Sequence, residues 1–352
     1  MSVNKCMLAE WLTLGFVALF FFKNKWHKAW ALWIVMCMVM MFNRLSYIET
    51  NTIMFYMLFF QILANRLTDK NINLIYNGIA VIILIQFAMV VMQFFHIYRF
   101  YMLKPGYDAL RHTPGVMGEI NSGGALFAAG LPVFLRGKLK ICIPLVIIGI
   151  FLCQSLMPMV SVAFGAFVYT SIMFPRLRFY IFGSAIVATV AYALKHDNIS
   201  FLMTGNGRLE TWKNIWSLIS DKPIKGCGIG HFRVVFPAID IAVFRKGSTV
   251  AWFTAHNEFL QVICEQGIIG FGLMMGFICS TIERFMKKIT GVGLPALIGV
   301  IIILVNSTGH FVMHTTIGLI AITYFAIIIN QIGGRDEKGN MFSRNIPSFN
   351  IV

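Results

Sequence analysis

Two residues near the middle of the chain have side chains that suit chemistry at a membrane surface. Arg208 lies in a glycine-rich turn with Gly205 and Gly207, and a guanidinium group can pair with two phosphate oxygens at once. His256 begins the run HNEFLQVICEQGIIG, which predicts a ring at the outer boundary of a helix. A wet imidazole there can accept a proton from a substrate held at the lipid surface, as a general base must. A polar boundary residue without a chemical role is the competing interpretation of His256.

Polar side chains continue along the same run. Glu258, Gln261 and Glu265 follow the i, i+3, i+7 spacing of one helical stripe. Carboxylates inside a membrane span are costly and indicate function, although hydrogen bonding between helices explains Glu265 equally well. Glu258 could compete with His256 as the base, but two positions along a helix turn their side chains about 200° apart. The sequence therefore favours His256 as the base and leaves Glu258 as a substrate-binding candidate.

The amino-acid composition is that of a membrane protein. Hydrophobic residues make up 58% of the 352 residues and charged residues 12%, whereas about a quarter of a soluble globular chain is charged. Apolar runs predict an all-α polytopic membrane protein with about 11 (10–12) transmembrane helices in a single integral membrane domain, 1–352. The candidate spans are 7–22, 29–42, 52–64, 74–95, 120–135, 139–156, 158–173, 178–194, 256–280, 292–308 and 311–330.

The basic residues predict the orientation of these spans. Alternate loops hold sixteen Lys and Arg residues on one side of the membrane, against five in the short loops and N-terminus of the other side. Because positive loops stay in the cytoplasm, the N-terminus is expected outside, the C-terminus inside, and the segment 195–255 outside. That segment carries eight Lys or Arg residues against four acids. The positive-inside rule does not explain a positive charge on the outer side, so this charge indicates an anionic ligand, with a solvated basic loop as the alternative. Nucleic acid is not an expected partner.

The outer segment 195–255 contains two local patterns. Five apolar residues recur at helical spacing and predict a helix that lies in the membrane interface and contacts lipid, where tryptophan is favoured. Glycines 226, 228 and 230 predict a tight turn whose backbone amides approach a phosphate. A nucleotide-binding turn is disfavoured because no strand precedes these glycines and no P-loop Lys-Ser/Thr follows them. The five apolar residues are Leu209, Trp212, Ile215, Trp216 and Ile219, and Asp221, Pro223 and Gly226 are expected to end the helix.

Cysteine and metal chemistry are not expected. Five of the seven cysteines fall in apolar runs, and Cys227 has no loop partner except distant Cys6, so disulfides are not predicted. The outer loops contain no Asp-x-Asp motif and no His/Cys cluster. We therefore predict no metal and no cofactor, and arginine side chains would have to neutralise a leaving phosphate.

Together, these motifs resemble the O-antigen ligase and O-antigen polymerase superfamily of bacterial cell-surface polysaccharide enzymes, over about residues 112–330. His256-Asn257, nine residues, Gly267, two residues and Gly270 are similar to the family's histidine motif. Gly207-Arg208 followed by Trp212 is similar to its loop arginine motif, and KGCGIGHF to its glycine turn. PGVMGEINSGGALFAAGLPVFL, around Asn121, is similar to a further family segment.

The resemblance implies a GT-C-like, inverting glycosyltransferase of the bacterial cytoplasmic membrane that needs neither metal nor sugar nucleotide. It takes a glycan from an undecaprenyl-diphosphate carrier at the outer face, with Arg208 holding the diphosphate and His256 activating the acceptor hydroxyl. Ser155-Leu156 stands where many members have Ser-Arg, so one phosphate-binding arginine is missing or is replaced by Arg111 or Arg233. The expected substrate-binding residues are Arg111, Asn121, Lys213, Arg233, Asn257 and Glu258.

The sequence does not specify the acceptor. A polymerase, which transfers the glycan to another lipid-linked repeat, is slightly favoured because the outer segment is compact. The alternatives are a ligase that transfers to lipid A-core and a protein O-glycosyltransferase. A transporter or flippase for an anionic solute or lipid-linked glycan is the alternative from another class. It would predict internal repeats and charges deep in several spans, and only Glu265 fits the second expectation.

Overall fold

A computed structural model describes residue 63 and residues 67–97, 113–117, 119–195, 208–239, 253–287 and 289–333. Every regular element in this part of the chain is helical, as predicted. The chain divides into two compact units: unit 1 comprises Met1–Ile62 and Gly207–Glu283, and unit 2 comprises Leu63–Asn206 and Arg284–Val352. The α-helices are α1 (Asp69–Phe94), α2 (Ile120–Gly130), α3 (Ile143–Leu152), α4 (Leu156–Met173), α5 (Arg178–Lys195), α6 (Arg208–Asp221), α7 (Phe232–Ile239), α8 (Glu258–Met286), α9 (Leu294–Asn306) and α10 (Thr316–Gly333). Short 3₁₀ helices cover Gly115–Met117, Leu131–Leu135, Gly137–Cys142 and Val312–His314.

Three helices in the described part, α1, α4 and α8, are long and apolar enough to cross a membrane. Shorter apolar helices cover Ile120–Leu135, Phe179–Ala188, Leu294–Asn306 and Thr316–Ile332. Each predicted span from 74–95 onward coincides with a helical segment. The predicted spans 7–22 and 29–42, and all of 52–64 except residue 63, lie outside the described residues. The predicted count of eleven is therefore not confirmed.

Prolines shorten two of the predicted spans. Pro132 and Pro144 each stand at the start of an element, because proline lacks an amide hydrogen and begins a helix more readily than it continues one. Residues 120–135 therefore form α2, of 11 residues, and then a 3₁₀ helix. Residues 139–156 begin within a 3₁₀ helix and continue as α3, of 10 residues.

In unit 2, α9 packs against α2, α4 and α10. Small residues permit this close packing, as in many membrane helix pairs: a Cβ atom at Gly299 would lie 2.1 Å from the ring of Tyr324. The Tyr324 hydroxyl donates to the carbonyl of Ala129 at 2.8 Å, and the Tyr76 hydroxyl donates to the carbonyl of Val292 at 2.9 Å. Both buried hydroxyls thus have partners, as polar groups in an apolar core require.

Unit 1 has a small apolar core that α6, α7 and the beginning of α8 share. The predicted interfacial helix forms as α6 and ends at Asp221, as expected. Its apolar residues divide between two sides, however. Ile215 and Ile219 are buried, whereas Leu209 and Trp216 are 50% and 57% exposed. The helix therefore packs on unit 1 through one side only, and its contact with the membrane interface stays a prediction. The buried residues of this core are Ile215, Ile219, Phe232, Phe236, Ala255 and Cys264.

Helix α8 is interrupted at Gly267, whose φ of 66° and ψ of −174° are not helical. The segment 222–230, which we call the glycine turn, fills the break. The amides of Cys227 and Gly228 donate to the carbonyls of Cys264 and Glu265, each at 2.8 Å. Backbone groups released from the helix are thus satisfied by the turn, as buried backbone polar groups require.

Glycine is required on both sides of this pairing. A Cβ atom at Gly226 would lie 2.4 Å from the carbonyl carbon of Glu265, and one at Gly267 would lie 2.1 Å from the carbonyl oxygen of Ile224. Both residues also have positive φ angles, 70° and 66°, which glycine adopts without steric cost. The glycine turn and the GxxG part of the histidine motif are therefore two halves of one structural feature.

Candidate active site

Arg208 is the first residue of α6, and it is 8% exposed. The positive end of a helix dipole and a guanidinium group both favour a neighbouring anion, so the start of α6 suits a phosphate. Lys213, also predicted to bind substrate, lies on the same helix and is exposed. Five positions along a helix turn its side chain about 140° away from that of Arg208. The two cations therefore leave α6 in different directions.

A hydrogen bond joins α6 to the residue before His256. The indole nitrogen Nε1 of Trp212 donates to the carbonyl oxygen of Ala255 at 2.8 Å. The Ala255 amide donates to Oε1 of Gln261 at 3.3 Å, and Ala255 itself is 1% exposed. Its backbone is thus held from two sides, and the helix that begins at Arg208 fixes the chain where it enters His256.

His256 lies before α8 and not within it. Helix α8 begins at Glu258, and Asn257 caps it by accepting a hydrogen bond from the Leu260 amide at 3.1 Å. His256 is half-buried, with a φ of 49°, a left-handed conformation that residues other than glycine rarely adopt. The expected separation of about 200° between His256 and Glu258 is therefore wrong, because that angle applies only to two helical residues.

The predicted polar stripe of Glu258, Gln261 and Glu265 is present on α8 and buried, with exposures of 5%, 1% and 4%. Glu265 Oε1 accepts hydrogen bonds from the Phe232 amide at 3.4 Å and from Gln261 Nε2 at 3.5 Å. Its carboxylate thereby lies at the N-terminus of α7, where negative charge is favoured. Hydrogen bonding between helices, one of the two explanations offered for Glu265, is thus observed.

The glycine turn does not present its amides as predicted. The amides of Cys227 and Gly228 donate to carbonyls of α8 at 2.8 Å, so they are not available to a phosphate. The correction has a simple cause: the break in α8 leaves carbonyls that need donors. Arg233, the second residue of α7, is exposed, so a phosphate near this turn would meet a side chain and not those two amides.

Asn121 lies in the first turn of α2, in unit 2, within a polar cluster. Its Nδ2 donates to Glu119 Oε1 at 2.5 Å, and its Oδ1 accepts from Ser155 Oγ at 2.7 Å. Glu119 Oε2 accepts from Ser122 Oγ at 2.6 Å and lies 3.5 Å from His310 Nε2. These bonds fix which way the Asn121 amide faces. Arg111, the other candidate before α2, lies outside the described residues.

The hydrogen bonds of this cluster also determine which nitrogen of His310 carries a proton. Ser122 Oγ lies 3.1 Å from His310 Nε2. Because the serine hydroxyl gives its one hydrogen to Glu119, it accepts from His310, so Nε2 carries the proton. Burial raises the pKa of the Glu119 carboxyl, but the charge of His310 and the hydrogen bonds from Ser122 and Asn121 together hold that pKa below its ordinary value.

Sequence reasoning missed the residues that position these candidates. Helical spacing places Trp212 on an apolar face and Gln261 in a polar stripe, but it identifies no partner for either residue. No pattern in the sequence indicates a role for Glu119 or His310. The two glycine clusters carried the one usable signal, because clustered glycines indicate backbones that approach each other closely. In the described part of the chain, no three His, Cys, Asp or Glu side chains group to hold a metal.

The family model described as O-Antigen ligase (Wzy_C) matches residues 141–275. This part of the chain is therefore similar to the O-antigen ligase family. The match includes α6, α7, His256 and the break at Gly267, and it is narrower than the expected range 112–330. No curated protein matches the chain. Members of the O-antigen ligase family are membrane glycosyltransferases of polysaccharide and lipopolysaccharide biosynthesis. They include both ligases and polymerases, and they use lipid-linked glycans.

Proposed function

We propose that this protein is a glycosyltransferase that moves a glycan from an undecaprenyl-diphosphate carrier to an acceptor hydroxyl at the outer face of the bacterial cytoplasmic membrane. The hydrogen bond between Trp212 and Ala255, at 2.8 Å, is the observation that carries the proposal. It couples the helix that begins with a buried arginine to the residue that precedes a histidine. An anion-binding group and a proton acceptor are the two groups that such a transfer requires.

The chemistry assigns one role to each side chain. The acceptor oxygen attacks the anomeric carbon, and the bond from that carbon to the diphosphate oxygen breaks. The hydroxyl proton passes to His256, and the charge that develops on the leaving diphosphate is met by Arg208. A single displacement of this kind inverts the anomeric centre. It uses neither a metal nor a sugar nucleotide, in line with the motif resemblance.

Further residues have supporting roles. Asn257 and Gln261 hold the backbone on either side of His256. Arg233 is exposed and suits the outer part of an anionic donor. Lys213 is also exposed, but because it leaves α6 in a different direction from Arg208, it is not assigned to the same phosphates. Asn121, in unit 2, is proposed to bind a substrate through its oriented amide.

We favour a polymerase over a ligase because the outer segment 195–255 is compact. The experiment reconstitutes the purified protein in vesicles with lipid-linked glycan extracted from cells that lack this gene. A ladder of lengthened lipid-linked glycan is the expected product. Transfer to added lipid A-core would instead identify a ligase. Movement of intact lipid-linked glycan across the bilayer, with no new glycosidic bond, would contradict the proposal and support a flippase.

The same assay tests Arg208. We expect Arg208→Lys to lose about 10- to 100-fold in turnover, because an ammonium cannot pair with two phosphate oxygens and a charge-assisted hydrogen bond contributes about 1.5–3 kcal/mol. Arg176→Lys is the matched control, since Arg176 is exposed between α4 and α5. Equal turnover in the two variants, at equal protein levels in the membrane, would remove Arg208 from the site.

A further inference from the structure

Two thiols meet where the glycine turn joins the break in α8. The sulfur atoms of Cys227 and Cys264 are 3.9 Å apart, and the Cys227 amide donates to the Cys264 carbonyl at 2.8 Å. A disulfide bond is about 2 Å long, so side-chain rotation has to bring the two sulfurs about 2 Å closer.

The surroundings of the pair differ from those of another described cysteine. Cys153 donates its thiol to the Thr113 carbonyl at 3.4 Å. In the pair, Cys227 is half-buried and Cys264 is 1% exposed. A soluble reagent can therefore reach Cys227 first. The hydrogen bond from the Cys264 thiol lowers the pKa of the Cys227 thiol, which favours the thiolate that disulfide exchange needs.

We propose that Cys227 and Cys264 form a disulfide outside the cytoplasm that fixes the glycine turn to the break in α8. The proposal rests on the extracytoplasmic position of the segment 195–255, since disulfides persist in oxidising compartments. It differs from the sequence prediction, in which Cys227 has no loop partner except distant Cys6. The sequence does not pair Cys264 with Cys227, because Cys264 lies in an apolar run, 37 residues further along the chain.

The reaction needs a protein oxidant that carries its own disulfide. The Cys227 thiolate attacks one sulfur of that disulfide, and the other oxidant sulfur leaves as a thiolate. The Cys264 thiolate then attacks the Cys227 sulfur of the mixed disulfide and releases the second oxidant thiolate. The chain loses two electrons and two protons, and the oxidant becomes a dithiol.

The bond would restrict the candidate active site. The loop that it closes runs from Cys227 to Cys264 and contains both Arg233 and His256. The bond would also prevent the glycine turn from separating from α8, so that its amides stay bonded to the carbonyls of Cys264 and Glu265. The oxidised protein therefore keeps the break in α8, and with it the start of that helix, in one arrangement.

The experiment measures thiols in the full-length protein taken directly from cells. Membranes are quenched with acid, denatured, and alkylated with a maleimide-polyethylene glycol before or after treatment with dithiothreitol. We expect the wild type to gain two alkylated cysteines on reduction, and Cys227→Ser or Cys264→Ser each to gain none. Cys153→Ser is the matched control and should still gain two. Peptide mass spectrometry should show residues 227 and 264 joined in the unreduced sample.

Alkylation of both Cys227 and Cys264 without reductant would overturn the disulfide. The test of the disulfide and the test of the proposed function can fail independently. Glycan transfer by a protein with both thiols free would overturn the disulfide alone. A disulfide in a protein that forms no glycan product would overturn the glycosyltransferase alone.

Discussion

The backbone of His256 has a left-handed conformation, which is uncommon for residues other than glycine. Its φ of 49° costs roughly 1–2 kcal/mol for a residue with a Cβ atom. Neighbouring contacts stabilise this conformation, because Ala255 is bonded on two sides and Asn257 caps α8.

This position predicts different effects of three substitutions. His256→Gly relieves the strain, and His256→Gln and His256→Ala remove the basic ring. All three should lower turnover by about 10²- to 10⁴-fold, the typical contribution of a general base. Only the glycine variant should keep its melting temperature at or near that of the wild type. The measurement combines initial rates of glycan transfer with thermal unfolding of the detergent-solubilised protein.

The control for His256 is His96→Gln. His96 is exposed and also has a left-handed backbone, with a φ of 58°, so the same change is made in the same conformation. Its turnover should match the wild type. Substantial turnover in His256→Gln would make His256 a positioning residue and Glu258 the candidate base.

The candidate residues could be proposed from their side-chain chemistry, but the residues that hold them in place could not be predicted. The chemistry of arginine and histidine identified Arg208 and His256 in a mostly apolar chain. The bond between Trp212 and Ala255 joins positions 43 residues apart, and Ser122 and His310 are 188 apart. A single sequence carries no periodicity over such distances, so the partners that orient the candidates were invisible.

At the scale of elements, the break in α8 explains why glycine stands at both 226 and 267, which belong to separate motifs in the sequence. The conformation at Gly267, φ 66° and ψ −174°, belongs to a region essentially restricted to glycine, and another residue there costs roughly 1–3 kcal/mol before any clash. The break was not predicted, because the apolar run from 256 to 280 has the composition of one continuous helix. A helix break costs little when another segment supplies the missing donors, and that segment is distant in sequence.

Gly267→Ala tests the break. The added Cβ atom would meet the Ile224 carbonyl oxygen at 2.1 Å, so we expect a melting temperature several degrees lower and a reduced folded yield. Gly272→Ala is the matched control in the same helix, since a Cβ atom there meets nothing within 4 Å. Alanine is also the better helix former by about 1 kcal/mol, so the control should be as stable as the wild type or more stable. Equal stability of the two variants would contradict the break.

Trp212→Phe tests the connection between α6 and His256. Phenylalanine keeps much of the apolar packing but removes the hydrogen bond to the Ala255 carbonyl, and leaving a buried carbonyl without its partner costs about 1–3 kcal/mol. We expect turnover to fall about tenfold or more, with a small decrease in melting temperature. Trp216→Phe, at a position that is 57% exposed, should change neither. Full turnover in the Trp212→Phe variant would show that α6 does not hold His256 in position.

At the scale of the whole molecule, the charge distribution remains the main argument for where the chemistry occurs. A membrane protein with a formal charge of +15 is expected to keep its basic loops in the cytoplasm. The segment 195–255 departs from that rule, because it is basic and yet falls on the opposite side when the spans are counted. The helical class followed from composition, since only helices and closed barrels satisfy their backbone in lipid. The ends of the helices did not follow from composition, because Pro132 and Pro144 interrupt two runs that are otherwise apolar.

The orientation predicts which positions a membrane-impermeant maleimide reaches. A cysteine at Ser248 should be labelled in intact spheroplasts above the level of the parental chain, because the segment 195–255 is expected outside. Lys287→Cys, at the exposed C-terminal end of α8, is the matched position on the predicted cytoplasmic side and should be labelled only after lysis. Labelling of Ser248→Cys only after lysis would reverse the topology. A carrier-linked glycan displayed at the outer face could not then reach Arg208 and His256, so this one result would also remove the physical basis of the proposed transfer.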